Sequence, residues 1–207
     1  MPNRKKGNRL LRSCNKTLLA GVASLVLLGG CSSPASRHED AAQAQTLPVD
    51  YEKALVLMRS SDYGAAIPVL QEFSAANPEL AGPYINLGIA YRQMGDADAA
   101  LAALDKAVEL NPGNAAAFLQ RGILYREKGD FQAALGAYEQ ALTLQPDYAL
   151  AHRNIGILYD LYLQQAAQAL THYKRYLELQ GNDDKTVSGW VIDLERRAGS
   201  SQASVTR

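Results

Sequence analysis

From Leu47 onward the apolar positions follow a pattern that returns every 34 residues. Gly88, Gly122 and Gly156 stand at that spacing, and so do Pro78, Pro112 and Pro146. Between these markers the second unit carries Tyr84, Leu87, Tyr91, Ala100, Leu104 and Ala107, and the third carries Phe118, Tyr125, Ala134, Tyr138 and Ala141. Arg121 takes a leucine place in the third unit, and the first has Ala54 in the glycine place and Leu57 in the tyrosine place before recovering with Ala66, Leu70 and Phe73. Small residues at one register and large ones at another are what an antiparallel helix pair needs where its backbones approach and its side chains interlock. Gly-Asp at Gly95-Asp96 and Gly129-Asp130 ends one helix and caps the next, and Asn-Pro or Gln-Pro at Asn77, Asn111 and Gln145 ends the second.

The pattern predicts an all-α solenoid of helix-turn-helix units over 47–80, 81–114, 115–148 and 149–182. A capping helix follows over 183–198, with Val187, Trp190, Val191 and Leu194 on one face and Glu195, Arg196 and Arg197 turned outward. The tail 199–207 is expected to be disordered. In the fourth unit Tyr159 to Ala169 is ten residues, whereas Tyr91 to Ala100 and Tyr125 to Ala134 are nine. With one residue inserted and no Gly-Asp turn, the first helix is expected to run on through Leu161 or Tyr162, or to absorb the residue as a bulge, turning Tyr162 and Leu163 toward the cap.

The first thirty residues read differently. A basic stretch from Arg4 to Lys16 precedes twelve mostly apolar residues, Thr17 to Leu28, too few to cross a bilayer of roughly 30 Å as a helix. This is the layout of an export signal, and Leu28-Gly29-Gly30-Cys31 resembles the lipobox of bacterial lipoproteins. That resemblance implies a lipid on Cys31, and Ser32 after it implies an outer-membrane anchor facing the periplasm. The alternatives are that Cys31 is an ordinary residue just after a standard leader, or that the stretch is a plain membrane anchor. Residues 31–46 would then be the lipidated cysteine and a polar tether. The net charge of zero hides an asymmetry, since six basic and no acidic residues precede Cys31, leaving fifteen basic against 21 acidic residues beyond it. An acidic mature chain argues against a nucleic-acid partner. Cys14, in the leader, is the other cysteine, so no disulfide is expected.

The repeated residues resemble the tetratricopeptide repeat. Membership implies a concave groove for a protein or peptide, lined by the first helix of each unit at Tyr51, Leu55 and Met58; Ile85, Asn86, Ile89 and Arg92; Leu119, Ile123 and Arg126; Arg153, Ile157 and Asp160. Leu55, Ile89, Ile123 and Ile157 read as an apolar floor, with Arg92 and Arg126 as an edge for an acidic group. Of the clamp by which some members hold a C-terminal carboxylate, Asn86 alone matches. Joined to the leader, the repeats resemble lipoproteins associated with pilus assembly or secretion, which implies an accessory role in building an envelope machine. Alternative readings are a self-associating structural lipoprotein and an adaptor for a cell-wall enzyme. No phosphate loop, nucleophile elbow or metal-ligand spacing is present, so neither a cofactor nor enzyme activity is expected. His38 falls in the tether, His152 in a bulky core position and His172 on a second helix, each read as structural or solvated.

Overall fold

The computed structural model describes residues 48–205; the leader, Cys31 and the tether lie outside them. Among the described residues there are α-helices and one π-helical turn, and no strand. The helices pair as α1 (Val49–Arg59) with α2 (Tyr63–Ala76), α3 (Ala81–Gln93) with α4 (Ala97–Leu110), and α5 (Ala115–Glu127) with α6 (Phe131–Leu144). The fourth pair is α7 (Ala149–Ile157), continued by the π turn Leu158–Tyr162, with α8 (Ala166–Leu179). Last comes α9 (Lys185–Val205), so helix continues through the backbone to Val205 where the sequence predicted a disordered tail. No described helix is long and apolar enough to cross a membrane.

The helix boundaries follow from capping chemistry. Asp62, Asp96 and Asp130 each accept the backbone N–H three residues on, at 3.0–3.1 Å, which satisfies a donor that the first turn would leave unpaired. Before each aspartate the chain reverses through a left-handed residue, Gly95 and Gly129 at φ 82° and Ser61 at φ 61°. Asp96 N–H then reaches back to the Tyr91 carbonyl and Asp130 N–H to that of Tyr125, closing the end of the preceding helix.

Inside each pair the glycine of the first helix faces a large residue of the second. A methyl group on Gly88 would run into Leu104, one on Gly122 into the Tyr138 ring, and one on Gly156 into the Tyr173 ring. Ala66, Ala100, Ala134 and Ala169 are wholly buried at the matching place on the second helices. Leu70, Leu104, Tyr138 and Tyr173 fill the register just beyond them. Full burial of a leucine is worth about 1.5–3 kcal/mol, so the contact repeated through the stack is a principal source of stability.

The inserted residue of the fourth repeat is taken up inside the helix. Leu163 N–H bonds to the Leu158 carbonyl, an i to i+5 closure, and the chain then turns at Gln164 with φ 54°. A glutamine held there costs on the order of 1 kcal/mol. The expected direction of Tyr162 and Leu163 is overturned: the Tyr162 ring packs at a tilt of 40° against Phe131 of the third repeat, with centroids 4.8 Å apart, and Leu163 packs on the core that the third and fourth repeats share. Because the extra residue is absorbed within the turn, these two keep facing the preceding unit, and Asp160, Leu161 and Gln164 face the cap instead.

The cap helix buries Val187, Val191 and Leu194 against Tyr173, Tyr176 and Leu177. Its first turn is held by Asp184, which accepts from the N–H groups of Thr186 and Val187 and from the Tyr176 hydroxyl; these bonds hold its carboxyl below the usual range. Trp190 is only half-buried, with its ring 5.3 Å from that of Tyr173.

Two glycines separate packing from propensity. Gly122→Ala is expected to destabilise the chain by about 1–3 kcal/mol through overpacking against Tyr138. Gly136→Ala, on an exposed face of α6 with nothing near the added methyl, is expected to stabilise it by about 0.5–1 kcal/mol. Thermal unfolding of both variants checks the pair; equal effects would mean that the glycine–tyrosine approach does not set the helix spacing.

Candidate peptide-binding face

The first helices pack on one another, α1 on α3, α3 on α5 and α5 on α7, while the second helices make no comparable mutual contact. A stack tighter on one side curves toward that side, which makes the first helices the concave wall. Along it Leu55, Ile89, Ile123 and Ile157 are all half-buried, as are Ile85 and Met58. Leu119 corrects the expectation: at 2% exposure it belongs to the core with Ala134, Tyr138, Ala151 and Ile155, closed over by the following repeat, and it cannot meet a ligand.

The polar side chains of this wall are mostly used between repeats. Asn86 donates to the Tyr51 hydroxyl at 2.8 Å, and Tyr51 is stacked on Phe73 at 4.8 Å. Arg92 donates to Glu127 at 2.9 Å, Arg126 to the Tyr162 hydroxyl at 3.3 Å, and Arg197 of the cap to Asp160 at 3.1 Å. All three span one repeat to the next, with partners 35, 36 and 37 residues apart, so this register position staples the stack. Arg92 is therefore neutralised within the protein and does not form the acid-binding edge read from the sequence. Among the described residues neither Arg126 nor Arg153 makes a close ion pair with a carboxylate; the Arg153 guanidinium lies 5.8 Å from the Trp190 ring centre, and its charge helps to hold the Asp184 carboxyl low from farther away. Beneath Arg126, burial pushes the Tyr138 phenol pKa up while the guanidinium pulls it the other way.

At its C-terminal end the wall opens into a cavity of about 710 Å³ between the fourth repeat and the cap. Its apolar sides are Ile157, Leu161, Tyr173 and Trp190, and Leu161 is 65% exposed. Asp160, Asp193 and Arg197 sit at its edge, already paired with one another through the guanidinium. Sequence reasoning placed Ile157 and Asp160 on the wall but missed the cavity, because Leu161 and Trp190 come together only once the π turn has set the end of α7. It also kept the two described histidines apart, whereas their Nδ1 atoms lie 3.0 Å from each other on the opposite side of the fourth repeat. Among the described residues no group of three or more metal-ligating side chains is gathered.

The tetratricopeptide-repeat family pattern matches residues 51–115, 85–149 and 119–184. No curated protein matches the chain. Among solved structures it is similar to MamA, at 26% identity over 66% of this chain and 79% of that one, with a TM-score of 0.58. It is also similar to TTC0263, a tetratricopeptide-repeat protein of Thermus thermophilus, at 27% identity over 74% and 80% of the two chains, with a TM-score of 0.59. PilF of Pseudomonas aeruginosa shares the fold at a TM-score of 0.67, with 19% identity over 73% of this chain and 68% of that one. With its repeat register, helix pairing and family match in agreement, the chain belongs to the tetratricopeptide-repeat family and has the fold of a protein–protein interaction scaffold.

Proposed function

We propose that this protein is a lipid-anchored scaffold of the bacterial envelope that holds a segment of a partner on its concave face while an envelope machine, such as a pilus or secretion system, is assembled. The observation that carries the binding reading is the half-buried row Leu55, Ile89, Ile123 and Ile157, which leads into the cavity beside Trp190. Support for the address comes from the sequence, where the lipobox-like Leu28 to Cys31 ends a short apolar leader. The assembly role rests on that leader joined to these repeats.

Energetics favours a transient grip. If four such side chains each lose roughly 50 Å² of apolar exposure, the gain is about 5 kcal/mol. Immobilising a partner costs at least about that much. The floor alone therefore binds weakly, and the cavity and the two arginines without a close carboxylate ion pair, Arg126 and Arg153, must supply the remainder. A segment that brings an apolar side chain and an acidic group fits both.

Ile89→Glu with Ile123→Glu is expected to abolish capture of the partner from solubilised envelopes while leaving the helical circular-dichroism spectrum unchanged. Arg126→Glu with Arg153→Glu is expected to weaken capture and to remove most of its salt dependence. Capture unaffected by either pair would move the binding surface off the concave wall. A dimer of the unaltered protein that survives dilution to nanomolar concentration would favour a second copy as the occupant. For the address, Cys31→Ser is expected to yield an unlipidated precursor with its leader uncut, seen as a slower band on a gel. A normally sized, membrane-free product would refute the lipoprotein reading.

A further inference from the structure

The fourth repeat departs from the others at one half-buried contact between its helices. The place of His152 is held by Tyr84 and Phe118 in the second and third repeats, and, allowing for the inserted residue, the place of His172 is held by Ala103 and Ala137. An aromatic residue and an alanine in register are thus replaced by two imidazoles, with Nδ1 atoms 3.0 Å apart and ring centres 5.2 Å apart. His152 Nε2 is 3.0 Å from the Pro146 carbonyl, which can only accept, so that nitrogen carries the proton and His152 Nδ1 offers a lone pair. The proton between the rings therefore belongs to His172 Nδ1. The chain from the Pro146 turn through α7 to α8 is closed by these two bonds.

We propose that His152 and His172 form a proton-sensitive clasp that locks the two helices of the fourth repeat together when both rings are neutral and opens as the pair becomes doubly protonated. One added proton is geometrically tolerable, because a cationic ring can still donate to a neutral one. A second places N–H against N–H and two like charges in contact, and the bond between the helices is lost. The other groups around the pair are Glu139 of α6 and Tyr159 of the π turn, which line a cavity of about 300 Å³ with His172. The Asp147–Arg175 ion pair, at 2.6 Å, ties the same turn to α8. Arg153, next in sequence to His152, has its guanidinium over Trp190. Burial first, and the neighbouring His152 second, lower the His172 pKa to about 4 from 6.5. An unfolded chain would bind that proton more readily, so the clasp's contribution is fully present above about pH 6.5 and is lost as the pH falls toward 4.

The clasp stands whether or not the concave face binds a partner, although on that reading acid would loosen the repeat that carries the cavity. The repeats themselves supply the control, since His152→Phe with His172→Ala restores the pair found in the third repeat as Phe118 and Ala137. Between about pH 7 and pH 5 the melting temperature of the full chain is expected to fall by at least about 3 °C more than that of the double variant. Parallel pH dependence in the two proteins would overturn the proposal. Imidazole NMR on the unaltered chain gives a second test that does not need the variant to fold. A His172 ring titrating near the ordinary histidine value would overturn the clasp, and so would a zinc-induced rise in melting temperature at neutral pH, which would make the pair a metal site.

Discussion

The whole stack depends on how closely the first helix of each pair can lie against the second. At Gly88, Gly122 and Gly156 the absence of a side chain admits Leu104, Tyr138 and Tyr173 at a distance where an added methyl group would collide with them. That approach sets the spacing within a pair, and the spacing decides which side chains of the first helices are left to form the concave wall. The first repeat shows what happens without the glycine. Ala54 is wholly buried in its place and Leu70 takes the bulky position, so the pair closes on a slightly larger small residue without a ring to seat. Tyrosine in place of leucine, as in the third and fourth repeats, extends the contact but leaves a hydroxyl to accommodate, and that of Tyr138 is buried near the Arg126 guanidinium without a hydrogen bond of good geometry.

A one-residue change in loop length has consequences well beyond the loop. In the second and third repeats a glycine–aspartate turn ends the first helix cheaply, because the glycine takes the left-handed conformation and the aspartate caps the second helix. The fourth repeat has neither, and α8 begins without a side-chain cap. Its extra residue widens the final helical turn, and a glutamine must adopt the left-handed conformation. What this gains is placement. Tyr162 comes back over Phe131 and Arg126, and Asp160 meets Arg197 of the cap, so the longer turn is tied to the repeats on both sides. The cavity beside Trp190 is the space that remains between those ties.

How much of this was legible in the sequence depended on whether an interaction is local or repeats in register. Helix pairing, the aspartate caps and the proline stops are signalled within a few residues, and the recurrence of Gly88, Gly122 and Gly156 multiplies a weak signal into a clear one. The inserted residue near Leu161 could be counted, and a bulge was among the outcomes it allowed, but the direction of Tyr162 could not be read. That direction is decided by Phe131, thirty-one residues earlier, on a different helix. Arg92 was misread for the same reason. Position alone puts Arg92 and Arg126 on the wall, yet their availability depends on Glu127 and Tyr162 in the next unit, and pairwise partners one repeat away leave no periodic trace. Leu119 has the same register as Ile85, and its burial comes from the contacts of Ala151 and Ile155 with the third repeat.

The irregularities gather in one place, and the mechanics of a solenoid accounts for this. Interior repeats are held by neighbours on both sides, so a change in their helix spacing would disturb two interfaces, and the second and third repeats accordingly keep the same glycine–aspartate turn, the same aspartate cap on the second helix and the same spacing. The fourth has a full repeat on one side only and a single helix on the other. A longer turn, a pair of half-buried titratable rings and a half-buried tryptophan are accommodated there with only one full repeat to disturb. Stability in such a stack is approximately a sum of unit and neighbour terms, so the end can open without unfolding the middle. A scaffold that must release what it holds benefits from having its cavity at that end, because the free energy needed to loosen the last repeat is only part of the free energy that keeps the stack folded.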